Sequence, residues 1–171
     1  MRIFSEDSHN AHLMYLRDLR LKLSILEKSE PRIRGLTPKQ ILGCGAKADL
    51  RRDAALLSSE ILLHDIAMGS YREEGSIDCA PIRNSFGSAA SFIYEATRLA
   101  MSCRAGFLAV YNERGRVVIR ASEDHVSLVT VGEPFLAVDL WEHAYFTDYG
   151  FDKHRYLSAI LPVLDSLALI C

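Results

Sequence analysis

The chain has 171 residues, 49% of them apolar, and a formal net charge of −2. That length supports one or two small domains with a real core, and the near-neutral balance excludes the electrostatic footprint of a nucleic-acid or anionic-membrane binder. Residues 1–10 hold no signal-peptide core, the last apolar run (157–170) is broken by Asp165 and too short to span a bilayer, and four scattered cysteines form no Cys-x-x-Cys pair; the expected location is cytoplasmic, with reduced thiols.

Ser5 followed by Glu6 and Asp7 predicts a helix start, a hydroxyl cap with acids in the first turn. His12, Leu16, Leu19, Leu23 and Leu26 then recur at spacings of four and three and form one stripe. The helix stops before Pro31, residues 28–38 read as a loop, and Thr37-Pro38 opens a short helix. A second long helix runs from near Lys47 to about Gly69 with the stripe Leu50, Ala54, Leu57, Ile61, His64 and Met68. Two antiparallel helices thus each carry one histidine on the apolar face.

Residues 69–85 read as a linker, and residues 84–101 as helix with a break at Gly87. Residues 106–111 and 116–120 flank Asn112-Glu113-Arg114-Gly115, a hairpin with glycine where positive φ is needed, and residues 135–139 supply a third strand. The expected fold class is α+β: an N-terminal antiparallel helical hairpin (1–74), then an α/β domain with a three-stranded antiparallel sheet (75–171).

Residues 134–149 carry the chemistry. An apolar run ends at Asp139, and His143 follows four residues later with the single tryptophan, Trp141, between them. Asp139 leaves a strand end and His143 comes round on the next turn, so that a carboxylate oxygen and an imidazole nitrogen reach one cation. A lone histidine among leucines is ordinarily a core residue; two on facing stripes, in a chain that also holds Asp139 and His143, favour a metal site.

The segment Asp-Leu-Trp-Glu-His-Ala-Tyr at 139–145 resembles the signature of the iron/manganese superoxide dismutases, and Asp148-Tyr149 and Tyr156-Leu157, opening a terminal helix, follow that family's order. The resemblance implies a mononuclear iron or manganese ion held by His12, His64, Asp139 and His143, acting as an antioxidant site on superoxide. It implies His12 over its neighbour His9 through the register set by Phe4-Ser5; a competing register that aligns Tyr15 with the family's active-site tyrosine puts Asp7 at the ligand position. It also implies a homodimer in which Glu142 bonds His143 of the other chain. Departures gather around the ligands. The family's first-helix tyrosine falls at Arg20 and its companion histidine at Leu16; Phe146 stands for a tyrosine, and Ala105 and Phe107 for tryptophans. The group that bonds bound solvent is Glu60, Glu123 or His125. Each lost donor removes about 1.5–3 kcal/mol of charge-assisted hydrogen bonding, which leaves two expectations: a working dismutase, or a dismutase-fold dimer of weak or no activity that binds metal or serves a structural role.

Overall fold

The computed structural model describes residues 4–71 and 75–165. Helix α1 spans Glu6–Ser29, capped by the Ser5 hydroxyl, which accepts from the Ser8 N–H at 3.2 Å. It buries His12, Leu16 and Leu19, while Leu23 and Leu26 pack at its far end. The loop holds a 3₁₀ turn at Pro31–Ile33, and α2 (Pro38–Gly43) begins with a reciprocal Thr37–Gln40 capping box. Helix α3 spans Ala48–Gly69 and runs antiparallel to α1: His12 faces His64 while Tyr15 meets Glu60, so partner numbers fall as α1 numbers rise.

The buried face of α3 is wider than the expected stripe and rotated from it. Its buried positions are Ala54, Ala55, Ser59, Leu63, His64 and Ala67, and Leu50, Leu57, Ile61 and Met68 are only half-buried. The reason is its further neighbours. Besides α1, this helix packs on α2 through Ala54 and Ala55 and on the sheet through Leu63 and Ala67, where small residues permit a close approach. Ser59 donates its hydroxyl to the Ala55 carbonyl at 2.6 Å, so its burial leaves no orphan group.

Strands β1 (Phe107–Glu113), β2 (Arg116–Ser122) and β3 (Leu136–Asp139) form one antiparallel sheet in the order β2-β1-β3. Glu113 pairs with Arg116, which leaves a two-residue turn at Arg114 and Gly115 with φ of 54° and 83°, the pattern whose twist suits a hairpin. Period-two alternation then gives the sheet two apolar faces. Leu108, Val110, Leu136 and Val138 meet α4 (Ala80–Phe86), α5 (Ala89–Ser102) and α8 (Lys153–Ile160). Phe107, Ala109, Tyr111 and Ala137 meet α3 and α6 (His125–Thr130). Asp139 pairs with Phe107 at the end of β3, and α7 (Glu142–Tyr149) follows directly.

Two expectations change, and one further helix appears. Part of the presumed linker is α4, with Pro81 in the first turn, where no N–H partner is required. Residues 125–130 are helical because the Asp124 carboxylate accepts from the N–H groups of Val126 and Ser127. The apolar run from Leu157 is not one helix: α8 ends at Ile160, Pro162 sits in a 3₁₀ turn (Leu161–Val163), and Leu164 bridges to Tyr71. Residues 166–170 of that run, Cys171, and residues 72–74 beside the expected domain boundary lie outside the described residues. Cys44, Cys79 and Cys103 are free thiols, and among the described residues no helix is long and apolar enough to cross a membrane.

Two ties fix β3 against its neighbours. The Ser70 hydroxyl, just past α3, accepts from the Ala137 N–H at 3.0 Å and donates to the Ile66 carbonyl at 2.7 Å. At the other end, the Gly106 carbonyl accepts from the Leu140 N–H at 2.9 Å. Gly106 has φ of 93°, and a Cβ there would lie 2.1 Å from the Ser122 carbonyl oxygen. Gly106→Ala is therefore expected to destabilise the protein by at least about 3 kcal/mol, read from the midpoint of a urea melt.

Candidate metal centre

Four side chains from α1, α3, the end of β3 and the start of α7 converge on one point. Oδ2 of Asp139 lies 3.3 Å from His12 Nε2, 3.2 Å from His64 Nε2 and 3.1 Å from His143 Nε2. The Nε2 atoms of His64 and His143 are 3.3 Å apart, and the ligating atoms of His12, Asp139 and His143 lie within 4.8 Å of one another. Asp139 itself is anchored twice more: its Oδ1 accepts from the Trp141 N–H at 2.9 Å, and its carbonyl from the Tyr156 hydroxyl at 2.9 Å.

The backbone sets the protonation of two rings. His12 Nδ1 donates to the Ser8 carbonyl at 3.2 Å and His64 Nδ1 to the Glu60 carbonyl at 2.8 Å, each the carbonyl four residues back on its own helix. A carbonyl only accepts, so Nδ1 carries the proton, and a neutral ring turns a bare Nε2 lone pair inward. Those lone pairs face a carboxylate oxygen, also an acceptor. Acceptors at this spacing repel unless a cation stands among them. Bonds of about 2.0–2.2 Å meeting near a right angle separate neighbouring ligand atoms by about 3 Å, the spacing of each imidazole from the Asp139 oxygen; His12, Asp139 and His143 form a group that could hold one first-row ion, with His64 beside it.

Burial is the strongest single influence on Asp139 and pushes its carboxyl up, yet the imidazoles of His12, His143 and His64, at hydrogen-bond distance, together hold it well below the usual carboxylate range, as they can only with a proton or cation between ring and carboxylate. For His64, burial pushes the imidazole down, but the hydrogen bond and charge of Asp139 outweigh it and leave the group above its ordinary value. Around the ligands, the Phe107 ring stands edge-on to His64 at 4.9 Å, and Trp141 stacks beside His143 at 6.5 Å. Trp141 Nε1–H donates to His125 Nε2 at 3.3 Å; the Nδ1 of that buried histidine has no partner among the described residues.

The other expected site residues divide between the surroundings of the cluster and the surface. Arg20 is exposed and pairs with Asp65 at 2.5 Å, and it does not join the cluster because its position on α1 faces solvent. Glu123 is exposed and accepts from the Arg104 N–H at 3.0 Å, which ties two loops together. Glu60 is bound to Tyr15, whose hydroxyl donates to Oε1 at 2.5 Å, and His125 lies under Trp141. His9 and Asp7 are exposed; His9 lines a cavity of about 360 Å³ that reaches Asp139 between Phe4, Met68, Tyr71 and Tyr156. Leu16 is core, Phe146 is exposed, and Glu142 is exposed at the first turn of α7. The register that keeps His12 gives the tyrosine's place to Arg20, and the competing register draws on Tyr15, whose ring lies 5.3 Å from that of His64 and 4.8 Å from that of His143. Its spacing of three from His12 puts both on one helix face.

With the geometry in hand, comparison with known proteins gives the class. Residues 75–167 match the family model described as iron/manganese superoxide dismutases, C-terminal domain, and the chain belongs to that family. It is 31% identical over 119 residues to an iron superoxide dismutase of Cupriavidus metallidurans, covering 66% of this chain and 60% of that protein. Over 53 residues it is 43% identical to a chloroplastic iron superoxide dismutase of Oryza sativa subsp. japonica, 30% of this chain and 14% of that one. It is 28% identical over 130 residues to a manganese superoxide dismutase of Haloferax volcanii, covering 71% and 64% respectively. The chain thus spans less than two thirds of the length of these relatives.

The raised His64 and lowered Asp139 make a pH prediction for the metal-stripped protein. The His64 contribution is whole below about pH 6.5 and is lost as pH rises through its folded value; that of Asp139 is whole above about pH 3.9 and is lost as pH falls through its folded value. Thermal melts of stripped protein should therefore be most stable between about pH 4 and 6.5 and weaken toward alkaline pH. A midpoint unchanged from pH 6 to 9 would contradict the raised His64.

Proposed function

We propose that the protein is a dimeric superoxide dismutase with a mononuclear iron or manganese site at His12, His64, Asp139 and His143. The observation that carries this reading is the set of inward lone pairs: three Nε2 atoms within 3.1–3.3 Å of one buried carboxylate oxygen, two of them fixed by Nδ1–H bonds to carbonyls. Bound there, the metal supplies the one-electron exchange by which one superoxide becomes dioxygen and a second, taking two protons, becomes hydrogen peroxide. The family's iron and manganese relatives support both choices of ion.

The rest is work for side chains. Phe107 and Trp141 exclude bulk water from two sides of the ligands, and the Ser8 and Glu60 carbonyls orient two of them. Tyr15–Glu60 and Trp141–His125 supply hydrogen-bonding groups within reach of the ligands, and proton delivery to the second superoxide is assigned to these pairs.

For the assembly, Glu142 of one chain accepts the outer N–H of His143 of the partner subunit. Two features support this: His143 is 34% exposed on its outer side, and Phe146 and Phe151 form an exposed ring pair at 4.9 Å near the same helix. The free thiols fit a cytoplasmic location. A division between residues 74 and 75 is supported by the start of the family's C-terminal domain match at residue 75.

The test is metal analysis of protein purified without added metal, then superoxide consumption by iron-loaded and manganese-loaded samples. Asp139→Ala and His143→Ala should lose the metal through gel filtration, and His9→Ala should keep it. Bound metal with no superoxide consumption in either form would remove the enzyme reading and leave the structural dimer.

A further inference from the structure

His143 differs from the other two histidines in how its ring is held. His12 and His64 lie inside long helices, where the carbonyl four residues back is free to take the Nδ1 proton. His143 is the second residue of α7, and the residue four back is Asp139, whose carbonyl already accepts from the Tyr156 hydroxyl. Beyond the 3.1 Å approach of its Nε2 to Asp139 and the Glu142 bond of the proposed dimer, ring contacts within the chain orient it. The nearest is Tyr15, with centroids 4.8 Å apart and planes tilted by 40°; His12 follows at 5.2 Å, His64 at 5.5 Å and Trp141 at 6.5 Å.

Tyr15 is itself braced. It stands one turn after His12 on α1, and its hydroxyl donates to Glu60 Oε1 on α3 at 2.5 Å, so both ends of the side chain are fixed across the two helices. Burial, then the hydrogen bond to Glu60, raise its hydroxyl above the ordinary phenol value and keep it a donor. We infer that Tyr15, braced by Glu60, is the positioning residue that holds the His143 imidazole in the cluster. This inference rests on the proposed function for its consequence, metal retention, but the ring contact stands in the metal-free protein as well.

The experiment has two arms on the full chain. In metal-free protein with labelled histidine and tyrosine rings, nuclear Overhauser contacts between Tyr15 and His143 are expected, and Tyr15→Ala should leave the His143 ring averaging among rotamers. In iron-loaded protein, Tyr15→Ala should speed metal loss to a chelator by about 10-fold or more and shift the electron paramagnetic resonance of the iron. Tyr15→Phe, which keeps the ring, and Glu60→Leu, which leaves Tyr15 intact but unbraced, should each give a smaller increase. Glu60→Gln should restore slow loss, because its amide oxygen accepts the same hydroxyl. A His143 ring equally ordered without Tyr15, or metal loss and resonance unchanged in Tyr15→Ala, overturns the inference. Failure of the unmutated protein to hold iron overturns the proposed function instead, and the metal-free arm still decides for or against Tyr15.

Discussion

The hydrogen bonds from His12 Nδ1 to Ser8 and from His64 Nδ1 to Glu60 govern the site. Each uses a carbonyl that a helix already presents, so the tautomer is settled by secondary structure rather than by a dedicated acid. Settling it commits the opposite nitrogen to act as an acceptor. With Asp139 at the focus, the protein has gathered negative and lone-pair character at a buried point, an arrangement that is costly when empty and favourable around a cation. A proton on His64 relieves part of that cost, and a metal ion relieves more of it.

The architecture serves this focus through α3. One side of the helix faces α1 and the other the sheet, and the exchange of large for small side chains along it (Ala55, Ser59, Ala67) brings its backbone close enough for Ser70 to bond Ala137 in β3. Asp139 is two residues further on. Its position is thus determined by the strand pairing with Phe107, by the Ser70 tie and by the Tyr156 hydroxyl, three constraints from three separate segments. A carboxylate so fixed can act as the hub for side chains that arrive from helices.

Much of this was legible in the residues. Ser5 before two acids, Thr37-Pro38 and the Arg114-Gly115 turn all form as local chemistry dictates, and the histidines of both stripes are buried. What escaped was set by tertiary neighbours. A stripe counted for one partner helix cannot anticipate that α3 has several neighbours, so Leu57 and Ile61 stand half-buried while Ser59 is covered. The short helix after His125 rests on the Asp124 cap in a β-branched run. Around the ligands, the register that keeps His12 put Arg20 in the tyrosine's place and the competing one drew on Tyr15; in the structure Arg20 faces solvent, and Tyr15 stands one turn after His12.

The separation of the converging groups along the chain has a kinetic side. His12 and Asp139 are 127 positions apart, and Ser5 bonds Asp148 across 143. Closing such loops is slow relative to forming a helical hairpin or a two-residue turn. The pocket therefore comes into being only when the two distant segments have docked, and the spectral signature of a captured ion would time the last event of folding rather than the birth of either half.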